Sequence, residues 1–204
     1  MKNERLSVAL SSSPQGREGG DLYGIIGFPL GHSFSRGFFT EKFAREGIDA
    51  QYLNFEIPDV AQLLDVLRDN PELRGLNVTL PHKQAVIPLL DELSDEAREI
   101  GAVNVIRVRN GKLKGFNSDI IGFTESIKPL LQPHHTKALI LGTGGASRAI
   151  RVGLARLGIE WTYVSRSPHE AMFNYSDLTP EIMAEYTVIV NCSPVGMFPK
   201  TDQA

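Results

Sequence analysis

The stretch LILGTGGASRAI, residues 139–150, decides how the second half of the chain folds. It opens as a short apolar run, the signature of a strand buried on both faces. Gly142, Gly144 and Gly145 follow, and from Ala149 the sequence continues as the helix-like run AIRVGLARLG. Glycines let the backbone turn tightly and approach a ligand closely. The start of the following helix supplies free N–H groups and a partial positive charge, together suited to a pyrophosphate. The third position of a G-x-G-x-x-G pattern is Ser147 here. A glycine turn alone fits an ordinary strand-to-helix connection, but the order strand, turn, helix, strand around it favours a dinucleotide.

The next strand, EWTYVSR, separates the possible cofactors. NAD-binding chains usually place an acidic residue about 20 positions after the turn, to hold the ribose 2′-hydroxyl. Here Ser165, Arg166 and Ser167 occupy the strand end. A guanidinium between two hydroxyls suits a 2′-phosphate, so NADP is the expected cofactor, held by Gly142, Gly144, Gly145, Ala146, Ser165, Arg166 and Ser167. Further on, YTVIVN (186–191) adds a third strand.

Upstream of a polar joint, QPHHT at 132–136, the pattern is again α/β. LYGIIGF (22–28), QYLNFEI (51–57) and GLNVTL (75–80) read as strands. SFSRGFFTEKFAREG (33–47) reads as a helix with Phe39 and Phe43 on one face. DVAQLLDVLRDN (59–70) reads as a helix capped by Asp59, and QAVIPLLDEL and SDEAREIG as short helices. AVNVIRV and KLKGFN flank Asn110-Gly111, the strongest short hairpin signal. DIIGFTESIKPLL closes this half as a helix. Strands alternating with helices predict a mainly parallel sheet. The expected organisation is therefore an N-terminal α/β domain over residues 21–131 and a partial Rossmann-type domain over 132–204. Residues 1–20, rich in Ser, Gly and charge, read as a disordered extension.

The bulk properties exclude several classes. The 204 residues are 42% hydrophobic and 22% charged with net charge −3, which gives nucleic acid no electrostatic purchase. No apolar run approaches the roughly 20 residues of a membrane span. The single cysteine permits no internal disulfide and fits a cytoplasmic location. No metal site is expected.

Polar residues recur at predicted strand ends, where open parallel sheets bind ligands. Ser33 and Ser35 follow the first strand, Asn77 and Thr79 the third, with Lys83 just beyond Pro81. Asn104 lies in GAVNV, and Asp119 follows GFNS. Each also has a plain structural use: a helix cap for the serines and Asp119, backbone satisfaction for the asparagines, a solvated position for Lys83. His82 reads as structural or solvent-facing.

The ordered motifs GFPLGHSFS, GLNVTLPHK, GAVNVI, GFNSDIIGF, LGTGGASRA and NCSPVGM resemble the shikimate dehydrogenases. The resemblance spans residues 22–197 and implies NADP-dependent reduction of 3-dehydroshikimate to shikimate. It implies that Ser33 and Ser35 hold the substrate carboxylate, that Thr79, Asn104 and Asp119 bind the ring hydroxyls with Asn77 helping to shape the substrate loop, and that Lys83 and Asp119 form the proton-transfer pair. Two residues depart from the family pattern: Ser118 stands where threonine is common, and Glu170 where a second base often follows Arg166. Family members continue past the position of Ala204, so the chain reads as C-terminally truncated. Two alternatives stay open, a quinate/shikimate dehydrogenase and a non-catalytic ligand-binding remnant.

Overall fold

The computed structural model describes residues 20–31, 33–196 and 202, so the extension read in residues 1–20 lies, except for Gly20, outside the described residues. In chain order the elements are β1 (Asp21–Gly27), α1 (Phe34–Glu46), β2 (Ala50–Glu56), α2 (Leu63–Asp69), β3 (Leu73–Val78), α3 (His82–Ala85), β4 (Glu92–Leu93), α4 (Asp95–Ile100), β5 (Val105–Arg109) and β6 (Lys112–Phe116). They continue with α5 (Asp119–Ile127), β7 (Lys137–Leu141), α6 (Gly145–Arg156), β8 (Glu160–Val164), α7 (Pro180–Glu185) and β9 (Val188–Asn191). Two compact units result. One runs to residue 94 and resumes for 103–116; the other comprises 95–102 and everything from 117 onward.

The first unit is built on one sheet in the order β2-β1-β3-β5-β6-β4. β1 pairs in parallel with β2 and β3, and β4 with β6, whereas β5 is antiparallel to both neighbours. The mainly parallel sheet expected from the sequence therefore carries an antiparallel β5, because residues 103–116 form the hairpin. Its turn residues, Asn110 (φ 51°) and Gly111 (φ 70°), both take the left-handed conformation of a two-residue hairpin turn. The alternate residues of β1 bury on both faces, with Leu22 and Ile26 almost inaccessible. On one face Ile25 and Tyr52 pack beneath α1 against Phe39 and Phe43.

Two helices differ from their sequence expectation. DVAQLLDVLRDN begins as a 3₁₀ turn (Val60–Gln62), with Asp59 and Gln62 in a reciprocal capping box, before α2 forms. QAVIPLLDEL is not one helix: α3 stops at Ala85, a second 3₁₀ turn covers Ile87–Leu89, and β4 follows. Pro88 has no N–H to carry an α-helical ladder across this point.

The second unit carries a parallel three-stranded sheet in the order β8-β7-β9. Ala138, Ile140, Leu154, Ile159 and Val188 form its inner core, with Phe123, Ile127 and Leu131 of the α5 region packed against them. Helices α5 and α6 approach closely at Gly153, where an added Cβ would stand 2.8 Å from the Phe123 ring. Ile100 of α4 and Ile120 of α5 pack with Ala149 and Val152 of α6. α4 and α5 thus belong with the nucleotide-type sheet, and the polar joint at 132–136 lies inside this unit rather than at its edge. Among the described residues no helix is long and apolar enough to cross a membrane.

Candidate active site

In the first unit the candidate residues meet where β3 ends. β5 runs antiparallel to β3, with Asn77 opposite Val105, so the start of β5 sits beside the carboxyl end of β3. That is how Asn104, which precedes its strand, reaches the same rim as residues that follow theirs. The Asn104 carbonyl accepts from the Val78 N–H at 2.8 Å and from the Asn77 amide at 3.5 Å. The Asn104 residue itself is buried, 9% exposed. Thr79 is the first residue past β3, and its N–H donates to Ile26 at the end of β1. Lys83 lies in α3, half-buried, and its carbonyl accepts from the Val103 N–H at 2.7 Å. The backbone therefore ties the lysine's turn to the segment that carries Asn104.

His82 is fixed as a structural residue. It is 3% exposed, and its Nε2 lies 2.6 Å from the Ile57 carbonyl. The hydrogen-bonded histidine anchors α3 to the segment after β2.

The two serines are not spent on capping. Ser33 occupies the position before α1 in an extended conformation, without a side-chain hydrogen bond to the helix. Ser35 lies inside the first turn of α1 and is partly buried.

In the second unit, Asp119 is the first residue of α5. Capping of its backbone falls to Asn117, whose Oδ1 accepts from the Asp119 N–H at 3.0 Å while its Nδ2 donates to the Ala102 carbonyl at 3.0 Å. Because Asn117 does this work, the Asp119 carboxylate is not the cap. Asn117 is 4% exposed.

The glycine turn of the second unit links β7 to α6. Gly142 has φ 97°, and a Cβ there would stand 3.2–3.3 Å from the backbone of Cys192 and Ser193. Only glycine fits without strain. Gly144 precedes α6 in extended conformation, with open space where a side chain would project, and the first turn of α6 carries neither a side-chain cap nor an acidic residue. The helix start thus offers its N–H groups and dipole to an anion. Ser147, standing for the third glycine, is fully buried and turns its Oγ back on the Gly144 carbonyl at 2.7 Å, which closes the turn. On the neighbouring strand, Ser165 follows β8 and its Oγ accepts from the Ser167 N–H at 3.2 Å. That small loop leaves Arg166 exposed at the strand's carboxyl end. Burial pushes the Cys192 thiol up to about 11.

Residues 25–106 match the family model described as the shikimate dehydrogenase substrate binding domain. The shikimate dehydrogenase (NADP(+)) of Aquifex aeolicus is 38% identical over 185 residues, spanning 86% of this chain and 69% of the relative. The chain belongs to the shikimate dehydrogenase family. The crystal structure of the Aquifex aeolicus enzyme superposes with a TM-score of 0.78 at 36% identity, covering 89% of this chain and 71% of that one. That of the Thermus thermophilus enzyme, in complex with NADP(H) and shikimate, gives 0.70 at 30% identity, covering 87% and 70%. Within this family member, sequence reasoning overlooked Tyr52 and Asn117. Tyr52 is marked by its bond to Asn77, 25 positions away, and Asn117 by its bond to Ala102, 15 positions away, beside its local bond to Asp119.

Proposed function

We propose that this chain catalyses the NADP-dependent, reversible reduction of 3-dehydroshikimate to shikimate. The observation that carries the reading is the rim at the end of β3: Asn77 donates to the Asn104 carbonyl, the Lys83 carbonyl accepts from Val103 beside Asn104, and Thr79 joins the end of β1 to the start of α3. A small polyhydroxy ring needs such a set of fixed donors and acceptors, and family membership names which ring.

In this reading Ser33 and Ser35 hold the carboxylate, and Asn77, Thr79, Asn104 and Asp119 bind ring hydroxyls. The Lys83 ammonium gives a proton to the ketone oxygen as it becomes an alcohol and takes it back in the reverse direction. Asp119 orients that ammonium and the adjoining hydroxyl. NADPH, when bound, supplies the hydride to the carbonyl carbon. Its fit is supported by the glycine turn, which leaves room for a pyrophosphate, and by the uncapped start of α6. Gly142, Gly144, Gly145 and Ala146 would line the pyrophosphate, and Ser165, Arg166 and Ser167 the 2′-phosphate. The ligands are small molecules, and the expected setting is the cytoplasm.

The test is turnover by the purified chain with shikimate and, separately, quinate, each with NADP and with NAD. NADP reduction that depends on shikimate, faster than with quinate, is the expected result. Absence of dehydrogenation, with no shikimate binding, would overturn the reading.

A further inference from the structure

The entry to α5 is buried at both ends. Ile120 is 2% exposed and packs with Ile100, Ala102, Ala149 and Val152. Asn117 is 4% exposed, while Ser118 between them is exposed and Asp119 half-buried. Asp119, which the proposed function places in the proton-transfer pair, therefore stands between two buried anchors, one apolar and one polar. Ser118 makes no side-chain capping bond, so the cap passes to Asn117.

Donor and acceptor counting shows why the polar anchor is a carboxamide. The Ala102 carbonyl can only accept, and the Asp119 N–H can only donate. The side chain between them must donate at one end and accept at the other, and Asn117 does so at 3.0 Å to each. An aspartate there would set a carboxylate oxygen against the Ala102 carbonyl and add a negative charge two residues from Asp119. A serine could accept from the Asp119 N–H, as serines do at helix starts, but its one short arm cannot serve both ends. The carboxamide thus ties the first N–H of α5 to the segment that follows α4.

Resting on the shikimate reading, we propose that Asn117 is a positioning residue for the proton-transfer step: its carboxamide fixes where the backbone of Asp119 stands, and with it the Asp119 carboxylate. It acts on the reaction only through Asp119. Proton transfer is sensitive to such placement, since a displacement of about 1 Å lowers a rate by about 10²-fold.

Asn117→Ala removes both hydrogen bonds, and Asn117→Ser keeps an acceptor for the Asp119 N–H alone. In shikimate oxidation with NADP, kcat is expected to fall about 10–100-fold in Asn117→Ala and less in Asn117→Ser. Calorimetric titration is expected to find shikimate affinity within about threefold of wild type, because one of several ring contacts is disturbed, and NADPH affinity unchanged. The same substitution is then made in an Asp119→Asn background, with residual turnover read at high enzyme concentration. There the carboxylate is already gone, so Asn117→Ala is expected to lower kcat no further. Its loss of thermal stability persists, because Asp119→Asn keeps the backbone N–H that Asn117 caps. A residue serving only the fold would lower kcat by the same factor in both backgrounds, and that result would overturn the inference. So would near-normal kcat in Asn117→Ala, or equal weakening of shikimate and NADPH. Should Asn117→Ala not fold, Asn117→Ser carries the same cycle. If the wild-type chain neither binds nor oxidises shikimate, the substrate reading falls and this inference with it.

Discussion

The two units assemble their candidate ligand groups by different means. In the first, the candidate groups are side chains, and their positions depend on other side chains: Tyr52 on Asn77, Asn77 on the Asn104 carbonyl, α3 on the His82–Ile57 contact. In the second, the candidate groups are mostly backbone: a glycine turn, a helix start free of caps, and an exposed arginine just past the next strand. A backbone cradle recognises what all nucleotides share, whereas a side-chain cluster can distinguish one hydroxylated ring from another. Mutations should therefore act differently in the two places.

The largest expected effect is in the first unit. Lys83→Ala should lower turnover by about 10²–10⁴-fold while shikimate still binds, the scale of a lost proton-transfer group. Steady-state kinetics and a binding titration check it together; near-normal turnover would remove Lys83 from the chemistry. Next comes Arg166→Ala, expected to weaken NADPH by about 10–100-fold and NADH hardly at all, as one charge-assisted contact to the 2′-phosphate is lost. Equal losses would place Arg166 away from the ribose. Gly142→Ala should cost about 1–3 kcal/mol of stability, because alanine at φ 97° is strained and its Cβ crowds the backbone at Cys192. Thermal unfolding measures this, and an unchanged midpoint would deny that the turn needs glycine. The smallest effect concerns Cys192. Burial raises its thiol, so at pH 8 the thiolate fraction is lower than for an ordinary cysteine of pKa about 8.5. Alkylation of Cys192 should be slow at pH 8 and accelerate toward pH 11.

Legibility in the sequence follows the same division. The nucleotide turn was readable because everything it needs is contiguous: apolar strand, glycines, helix. The Asn110-Gly111 hairpin was readable for the same reason. The antiparallel placement of β5 was not, since a short β-rich run looks alike in either direction and only its pairing with β3 fixes it. Residues 95–102 join the second unit because Ile100 finds its apolar partners on α5 and α6, a choice made by packing far along the chain. Ser33, Ser35, Asn77, Thr79, Lys83, Asn104 and Asp119 were all singled out by position after or near a strand. Tyr52 and Asn117 were missed because a tyrosine in a strand and an asparagine before a helix are ordinary there, and only their distant partners mark them out.

The division of labour itself is tested most directly by two titrations, shikimate and NADPH, against the wild-type chain, Asn104→Ala and Arg166→Ala. The account predicts that Asn104→Ala weakens shikimate about tenfold and leaves NADPH unchanged, and that Arg166→Ala does the reverse. If either variant weakened both ligands by the same factor, the two sites would not be separately built, and the account would be contradicted.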